Sequence, residues 1–449
     1  MSTWFVNLRD AFRTRLWPIP TIAVVCALLL GLLVPERDAV IDQDLSGRVS
    51  GWLFGGDADA ARSLLGAIAS SMITVTALTF SLTVVTLQLA SSQFSPRLLR
   101  TFTRDWFVQV TLALFLATFT YALTVLRAVR GDGDGGGGLV PKVAVTLGFA
   151  LAVASVVGLV LFLAHLTEQI RVETMLRNVH RDAVATIRTV LTARGSASVP
   201  RDAVPSPPPD AQTLLADDDG FLTVVDEEEL LSIAVEEDVV LRVTVHAGVF
   251  LVRGTPWGSA WPAGTGRLSD EDRERISARV AACVHVGFER TSTQDVGYGL
   301  RQLTDVANKA LSPGINDPTT AIHALGHISA FLCDLADRDL GPATQSDDDE
   351  RIRVVMDRPD FADYVDLGLS QPRRYGAGDP QVLQRILQVL LDLSHRVTPD
   401  LRPVVSGELA RLRATAAAEP FDATERAALD SLGRQVELHL ARPWSAERA

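Results

Sequence analysis

Four stretches of this 449-residue chain contain no charged residue over a length that can cross a lipid bilayer. They comprise residues 16–35, 63–96, 106–126 and 143–167. A transmembrane helix needs about 20 predominantly apolar residues to cross the hydrocarbon core. The sequence therefore predicts a four-span transmembrane domain in residues 1–170, with the lipid bilayer as a partner. A chain with this pattern does not fold as one water-soluble globule.

The remainder of the chain is hydrophilic and acidic. Acidic residues outnumber basic ones by 54 to 42, which gives a net charge of −12, and the acidic excess lies beyond residue 170. An acidic surface repels the phosphates of nucleic acids, so we expect no nucleic-acid partner. The three cysteines include no Cys-x-x-Cys pair and do not predict a disulfide framework.

Basic residues beside the spans predict the orientation in the membrane. Three clusters lie before span one, between spans two and three, and after span four; they are Arg9, Arg13, Arg15, Arg97, Arg100, Arg104, Arg171, Arg177 and Arg181. Cytoplasmic loops carry an excess of Lys and Arg. Arginine also greatly outnumbers lysine, a bias typical of GC-rich bacterial genomes. We therefore expect a multi-pass protein of the bacterial inner (plasma) membrane with both termini in the cytoplasm.

The second span is longer and more polar than a membrane crossing requires. As a helix, residues 63–96 would rise about 51 Å, against a hydrocarbon core of about 30 Å. One face carries Ser70, Thr74, Ser81, Gln88 and Ser92, which fall within about 40° of one another around the helix axis. Such a stripe either packs and hydrogen-bonds against another helix or lines a water-filled path with Gln88 as its polar ring. The sequence leaves both interpretations open.

Span four ends with two ionisable side chains. His165 and Glu168 lie three residues apart on one face of the predicted helix, at its inner boundary. A proton-sensitive gate can be built from such side chains. Polar side chains at a membrane boundary also simply extend to water. The pair is thus a gate candidate beside that simpler interpretation.

The C-terminal part divides into three predicted regions. Residues 171–212 form a helical extension and a proline-rich linker, residues 213–265 a small α/β module, and residues 266–449 a helical domain. Short β-branched runs predict the strands, and leucines at spacings of three and four predict the helices. The fold class is thus an α-helical integral membrane protein with four transmembrane helices and a mostly α, partly α/β cytoplasmic C-terminal domain.

No catalytic motif accompanies this architecture. The sequence lacks a phosphate-binding glycine loop, a nucleophile elbow and a paired-acid site, so we expect neither an enzyme nor a cofactor. His323 and His327 lie four residues apart, a spacing that suits zinc. They are weak metal candidates, because Cys283, His285 or Asp317 would have to supply a third ligand from elsewhere in the fold.

Two motifs carry a family resemblance. Residues 300–307 (LRQLTDVA) leading into 311–321 (LSPGINDPTTA), together with residues 86–99 (TLQLASSQFSPRLL), resemble the signature of the bacterial family called domain of unknown function 2254. The resemblance extends over nearly the whole chain. It implies an inner-membrane protein with a few N-terminal spans and a cytoplasmic tail, and it implies no reaction, substrate or ligand.

The first of these motifs ends in a turn between two predicted helices. The signature turn consists of Ser312, Pro313, Gly314, Asn316, Asp317 and Pro318. Pro313-Gly314 favours a tight turn, and Asp317 with Pro318 suits the start of the next helix. An alternative is that the backbone N–H groups there bind an anion with the help of Arg301, although Asp317 would already occupy the helix start.

These features predict two functions of different classes. The first is a homo-oligomeric channel or transporter for ions or small solutes, lined by span two and regulated by the cytoplasmic tail. An oligomer is required because four spans in one copy enclose little space. The alternative is a non-conducting membrane sensor or scaffold whose tail binds a cytoplasmic protein partner. The two functions differ in whether the stripe through Gln88 faces a conducting path.

Overall fold

The structure, a computed structural model, describes residues 17–44, 53–93, 105–130, 140–169, 171–195 and 204–443. For residues 39–44 and 90–93 it describes the backbone alone. The chain divides into two compact units, Met1–Arg171 and Val172–Ala449. Each unit has its own core, and each is described by itself below.

The first unit contains four long helices: α1 (Pro18–Asp44), α2 (Ala58–Gln93), α3 (Trp106–Ala128) and α4 (Lys142–Gln169). Each contains a stretch long and apolar enough to cross a membrane. The four predicted transmembrane helices are therefore confirmed. At the start of α3, the Asp105 side chain accepts a hydrogen bond from the N–H of Phe107 at 2.9 Å. It thereby satisfies one of the donors that a helix start leaves open.

Helix α1 extends past its predicted end at residue 35. Pro35 lies inside the helix, which continues to Asp44. The continuation buries Asp38, whose carboxylate accepts a hydrogen bond from the N–H of Val143 at 3.0 Å. Val143 lies in the first turn of α4, where N–H groups have no partner within the helix. Asp38 thus caps a helix that lies 105 residues further along the chain.

Helix α3 is the most buried of the four spans. Its Tyr121 is fully buried, and the phenol donates a hydrogen bond to the carbonyl of Ala144 in α4 at 3.1 Å. Thr118 of α3 and Ser155 of α4 share a buried hydrogen bond of 3.0 Å. Helix α4 in turn exposes a row of apolar side chains, namely Val153, Val156, Val157, Val160 and Leu161. Lipid chains solvate such a surface as well as another apolar helix does.

The second unit combines helices with two small sheets. Its helices are α5 (Val172–Val190), α6 (Glu227–Glu236), α7 (Asp270–Ala282), α8 (Val296–Ala310), α9 (Pro318–Ala336), α10 (Phe361–Tyr375), α11 (Pro380–Arg396), α12 (Arg402–Ala418) and α13 (Ala423–Leu440). Its strands are β1 (Gln212–Leu215), β2 (Gly220–Val225), β3 (Val239–Val243), β4 (Phe250–Leu251), β5 (Pro256–Pro262), β6 (Val284–Gly287), β7 (Ala343–Ser346) and β8 (Ile352–Met356).

The strands form a five-stranded sheet in the order β1-β5-β3-β8-β7 and a three-stranded sheet in the order β4-β2-β6. Only β3 and β8 pair in parallel; the other described pairs are antiparallel. Apolar side chains of both sheets and of α6 and α7 form one core, which includes Leu222, Leu230, Leu241, Trp257 and Ile276. This core gives the sheets a buried face to pack on.

The structure differs from the predicted division of the C-terminal part at residue 266. Strands β6, β7 and β8 lie in the region predicted to be a helical domain, and they complete sheets that begin before that residue. They are short and pair with strands far away in sequence, for example Leu241 with Val354 in parallel. Short strands that depend on such distant partners give a weak local pattern, because strand preference reflects packing more than the backbone.

Candidate functional site

The predicted polar stripe of span two lies on the outer surface of the first unit. Ser70, Thr74, Ser81 and Gln88 are all exposed, whereas the side chain of Ser92 lies outside the described residues. The Thr74 hydroxyl donates to the carbonyl of Ser70 at 3.0 Å, so it makes its hydrogen bond within α2. Within the described part of the chain, Gln88 has no hydrogen-bond partner for its amide. Ser70, Thr74, Ser81 and Gln88 therefore do not pack against the other described helices of the same copy.

The opposite face of α2 is the one that packs inward. Thr79 and Thr86 are buried. The hydroxyls of Thr76, Thr83 and Thr86 donate to carbonyls four residues earlier at 2.6 to 2.9 Å. Since this face makes the contacts with the other described helices, the packing interpretation of the Gln88 stripe requires a partner other than those helices.

The gate candidate His165 has a different partner from the one the sequence indicated. Its Nε2 lies 2.5 Å from Oδ2 of Asp105, and its ring stands against Phe107 with the ring centroids 4.6 Å apart. Glu168 is exposed. Asp105 thus serves two purposes, because it also caps α3. It joins the beginning of α3 to the end of α4, and no local spacing pairs it with His165.

The signature turn is closed by its own hydrogen bonds. The Ser312 carbonyl accepts from the N–H groups of Ile315 and Asn316 at 3.0 and 2.9 Å, and Asn316 has a left-handed φ of 50°. The Asp317 carboxylate accepts from the N–H and the hydroxyl of Thr320 at 3.1 and 2.6 Å. These bonds hold the pKa of Asp317 below its usual range, with the hydroxyl contributing most. Asp317 therefore occupies the helix start where an anion would have to bind.

The remaining residues of the signature turn lie at its tip or begin the next helix. Pro313 and Gly314 are exposed at its tip, and Pro318 is the first residue of α9. Arg301, which was expected to assist an anion at this turn, lies instead towards the other end of α8, beside the cavity described below. The turn thus connects α8 to α9.

The weak metal candidates lie beside a third histidine that the sequence did not indicate. His180 of α5 stands next to His327 of α9, with the ring centroids 5.3 Å apart. Among the described residues, no three His, Cys, Asp or Glu side chains converge as a metal ion would require. Burial and the neighbouring His180 and His323, in that order, lower the pKa of His327. Arg385 of α11 reaches α9 at Gly326, next to this group.

This histidine group predicts a loss of stability in acid. A histidine with a depressed folded pKa takes up its proton more readily in the unfolded chain. Stability is therefore complete above the ordinary value near 6.5 and falls as the pH drops below it. We expect the thermal unfolding midpoint to fall between pH 7.5 and 5.5, and to fall less in His327→Gln. The matched variant His285→Gln in β6 should retain the wild-type slope; equal slopes in all three proteins would contradict this assignment.

A cavity lies within the second unit. It has a volume of about 440 Å³ and lies between strand ends of the two sheets, the end of α5 and the beginnings of α8 and α10. Its charged and titratable lining consists of Glu227, His246, Arg290, Asp295, Arg301, Asp357, Arg358, Asp363 and Tyr364. Volumes of this size are typical of sites that hold small molecules.

The most buried charges of the cavity form an ion pair. Both oxygens of Asp295, whose side chain is 3% exposed, accept hydrogen bonds from Arg290, from Nε at 2.7 Å and from Nη2 at 3.0 Å. Burial raises the pKa of Asp295, and the charge of Arg290 opposes that rise. Gly248, with φ of 94°, lies so close that a Cβ there would be 2.2 Å from Oδ2 of Asp295. Both the left-handed φ and the lack of room for a Cβ therefore require a glycine at this position.

Sequence reasoning missed this cavity. Its lining comes from six segments between residues 190 and 367, which only the completed sheets bring together. Asp295 precedes a helix, so in the sequence it has the pattern of an ordinary N-cap. The one available signal was the run Asp357-Arg358 beside an apolar strand, and such a run is usually a solvated face.

This arrangement defines a polytopic α-helical membrane protein with a C-terminal unit that contains a cavity of ligand size. The chain belongs to the family described as predicted membrane protein (DUF2254), whose sequence model matches residues 13–392. Uncharacterized proteins of Mycobacterium tuberculosis and Mycobacterium bovis are each 35% identical over 434 residues, which is 96% of this chain and 81% of each relative. No solved structure matches the chain. The family resemblance seen in the two motifs is thus confirmed.

Proposed function

We propose that this protein is a homo-oligomeric channel or transporter for ions or small solutes, with α2 of each copy lining the path. The observation that carries the proposal is the outward position of Ser70, Thr74, Ser81 and Gln88. A serine or threonine hydroxyl facing lipid costs little when it bonds to its own helix. The amide of a glutamine cannot satisfy all its donors and acceptors in this way, so burial in lipid costs free energy.

A ring of copies removes that cost. Most homo-oligomers have closed symmetry, which brings the same face of each copy to a common axis. If that face is the stripe on α2, the Gln88 side chains form a polar ring around water, and the apolar face of α4 remains towards lipid. The described helix α2 has 36 residues, about 54 Å at 1.5 Å per residue, so it also extends beyond the bilayer.

The orientation is part of the same proposal. The arginine clusters support an orientation with both termini in the cytoplasm of a bacterium and the spans in the inner membrane. The second unit is then cytoplasmic, where soluble metabolites and proteins can reach it. A unit in that position suits regulation of the path by a ligand or a partner.

The test is ion conductance of the purified protein in planar bilayers. We expect unitary currents in the wild type and currents that are lost or changed severalfold in Gln88→Leu, because an apolar ring favours dewetting. Thr83→Val is the matched control. It removes a hydroxyl that lies on the inward face of the same helix and donates to the helix's own carbonyl of Thr79. Currents that are identical in Gln88→Leu and the wild type would overturn the assignment of α2 to the path.

A second candidate function is favoured by the cavity. A non-conducting membrane sensor whose tail binds a ligand or a cytoplasmic partner needs a site in the second unit and no path through the first. Absence of current from correctly folded, inserted protein under both polarities would select this function. The Gln88 stripe would then serve as a contact between copies or with another membrane protein.

A further inference from the structure

We infer that the cavity of the second unit is a binding site for an uncharged cyclic amide of nucleoside size, which accepts a hydrogen bond from the Tyr364 hydroxyl and donates one to Nε2 of His246. The inference is independent of whether α2 conducts, because its test measures binding and not current. It depends on three observations, namely a buried hydroxyl, a histidine nitrogen that can only accept, and the balance of the charges around them.

The Tyr364 side chain supplies a buried donor. The residue is 4% exposed, and its hydroxyl makes no hydrogen bond to any of the described residues. The charges that act on the hydroxyl, those of Asp295, Arg358 and Asp363, all belong to residues that line the cavity. Burial raises the pKa of Tyr364, and the charge of Asp295 adds to that rise, so the hydroxyl keeps its proton. A buried donor left unpaired costs free energy, which an acceptor on a ligand recovers.

His246 supplies the complementary acceptor. Its Nδ1 lies 2.9 Å from the carbonyl oxygen of Ala247. A carbonyl can only accept, so Nδ1 carries the proton, and Nε2 of the neutral ring is left as an acceptor. Nε2 has no hydrogen-bond partner within the described residues, and His246 lines the same cavity as Tyr364. Since the charge of Asp295 interacts with both side chains, the two lie in the same part of the cavity.

The charges of the lining balance one another. The lining has four carboxylates and three arginines, and Arg242, which binds Asp357, makes the numbers equal. Both oxygens of Asp357 accept from Arg242, at 3.2 and 3.0 Å. Glu227 accepts from Arg358 at 2.8 Å, and the pair of Arg290 with the buried aspartate is described above. These pairs leave no net charge for an ionic ligand to neutralise.

The other two charged residues of the lining do not alter this balance. Arg301 is engaged as well, with the side chain of Gln371, at 3.3 Å, among its partners. Asp363 is exposed to water, and its carboxylate accepts from the N–H of Asp360 at 2.9 Å. A ligand with a full charge of either sign would therefore have to displace existing partners. The cavity thus favours an uncharged ligand.

A cyclic amide matches the two polar groups and the rest of the wall. Its carbonyl and its N–H lie on neighbouring atoms of one planar ring, so a single group can bond to both Tyr364 and His246. Val225, Val245 and Met356 contribute apolar wall. The volume of about 440 Å³ lies within the range of about 300 to 1,000 Å³ that small-molecule sites occupy. A nucleoside whose base contains a cyclic amide has this combination of size, flat body and polar edge.

The experiment is isothermal titration calorimetry on the full-length protein in lipid nanodiscs. Uridine and inosine contain the cyclic amide, whereas 3-methyluridine and 1-methylinosine lack its N–H. We expect uridine or inosine to bind, and its N-methyl form to bind at least about tenfold more weakly, the difference that one hydrogen bond supplies. The corresponding 5′-monophosphate should bind no more tightly than the nucleoside. The inference is overturned if neither nucleoside binds folded protein, if only a monophosphate binds, or if the N-methyl form binds equally well.

Three variants locate the site. Tyr364→Phe removes only the hydroxyl, so the fold should be retained while nucleoside binding weakens about tenfold. Tyr375→Phe is the matched control, because it removes an exposed hydroxyl from the same helix, and it should leave binding unchanged. His246→Phe removes the acceptor, so the nucleoside and its N-methyl form should then bind equally weakly. Nucleoside binding that is unchanged in both Tyr364→Phe and His246→Phe would place the site elsewhere and overturn the inference.

Discussion

Replacing Arg290 with methionine is expected to lower the free energy of unfolding of the second unit by about 3 to 5 kcal/mol, the usual cost of leaving a buried charge without its partner. Asp295 is the charge concerned, and Arg290 donates a hydrogen bond to each of its carboxylate oxygens. Chemical denaturation of the full-length protein, followed by circular dichroism in detergent, measures the effect.

Two further variants separate this cause from a general effect of losing an arginine. Arg253→Met breaks an ion pair with Asp218 in which both side chains are about 70% exposed, 69% and 71%, so we expect little change. The double variant Arg290→Met with Asp295→Leu removes both buried charges and should recover most of the lost stability. A double variant as unstable as Arg290→Met alone would show that the arginine acts through its packing and not its charge.

Burial of Asp295 also determines how the loss of unfolding free energy in Arg290→Met, called the deficit below, depends on pH. The pKa of Asp295 is already raised by burial, and removing the opposing arginine raises it further. A folded pKa above the unfolded one means that the folded state favours the proton. The deficit is thus complete above the folded pKa and shrinks as the pH falls through it towards the ordinary value near 3.8. A loss of stability that stays constant as the pH falls towards that value would contradict this explanation.

How far the sequence determines this structure depends on the range of the interactions. The four spans follow from local composition, because uncharged runs of about 20 residues have few alternatives to a membrane helix. The cap at Asp317 and the helix start at Pro318 were equally local, and the structure has both. Each of these features involves residues within a few positions of one another.

The candidate sites required contacts that no local pattern contains. His165 meets Asp105 from 60 residues away. Asp295 stands at the start of α8 and bonds to Arg290, only five residues away, but the burial of the Asp295 side chain follows from the packing of the whole unit. Strands β6, β7 and β8 were missed for the same reason, since their partners lie far along the chain. The polar stripe of α2 was visible in the sequence, but only the packing of α3 decides that it faces outward.

Replacing Gly299 with leucine is expected to cost about 3 kcal/mol, the upper end of the usual range for adding volume to a packed core. Gly299 lies inside α8 where that helix crosses α5, and a Cβ there would stand 2.3 Å from Cβ of Ala183 and 3.1 Å from its Cα. The backbones of the two helices therefore have to separate. The unfolding midpoint in denaturant and the rate of proteolysis within α5 measure the effect.

The matched control is Gly407→Leu in α12, where a Cβ would meet nothing within 4 Å. This variant should be as stable as the wild type or slightly more stable, because leucine favours a helix more than glycine does. A compensating swap, Gly299→Ala with Ala183→Gly, moves one methyl group across the contact and should be milder than Gly299→Ala alone. If Gly299→Leu and Gly407→Leu are equally stable, close approach of α5 and α8 is not what holds them together.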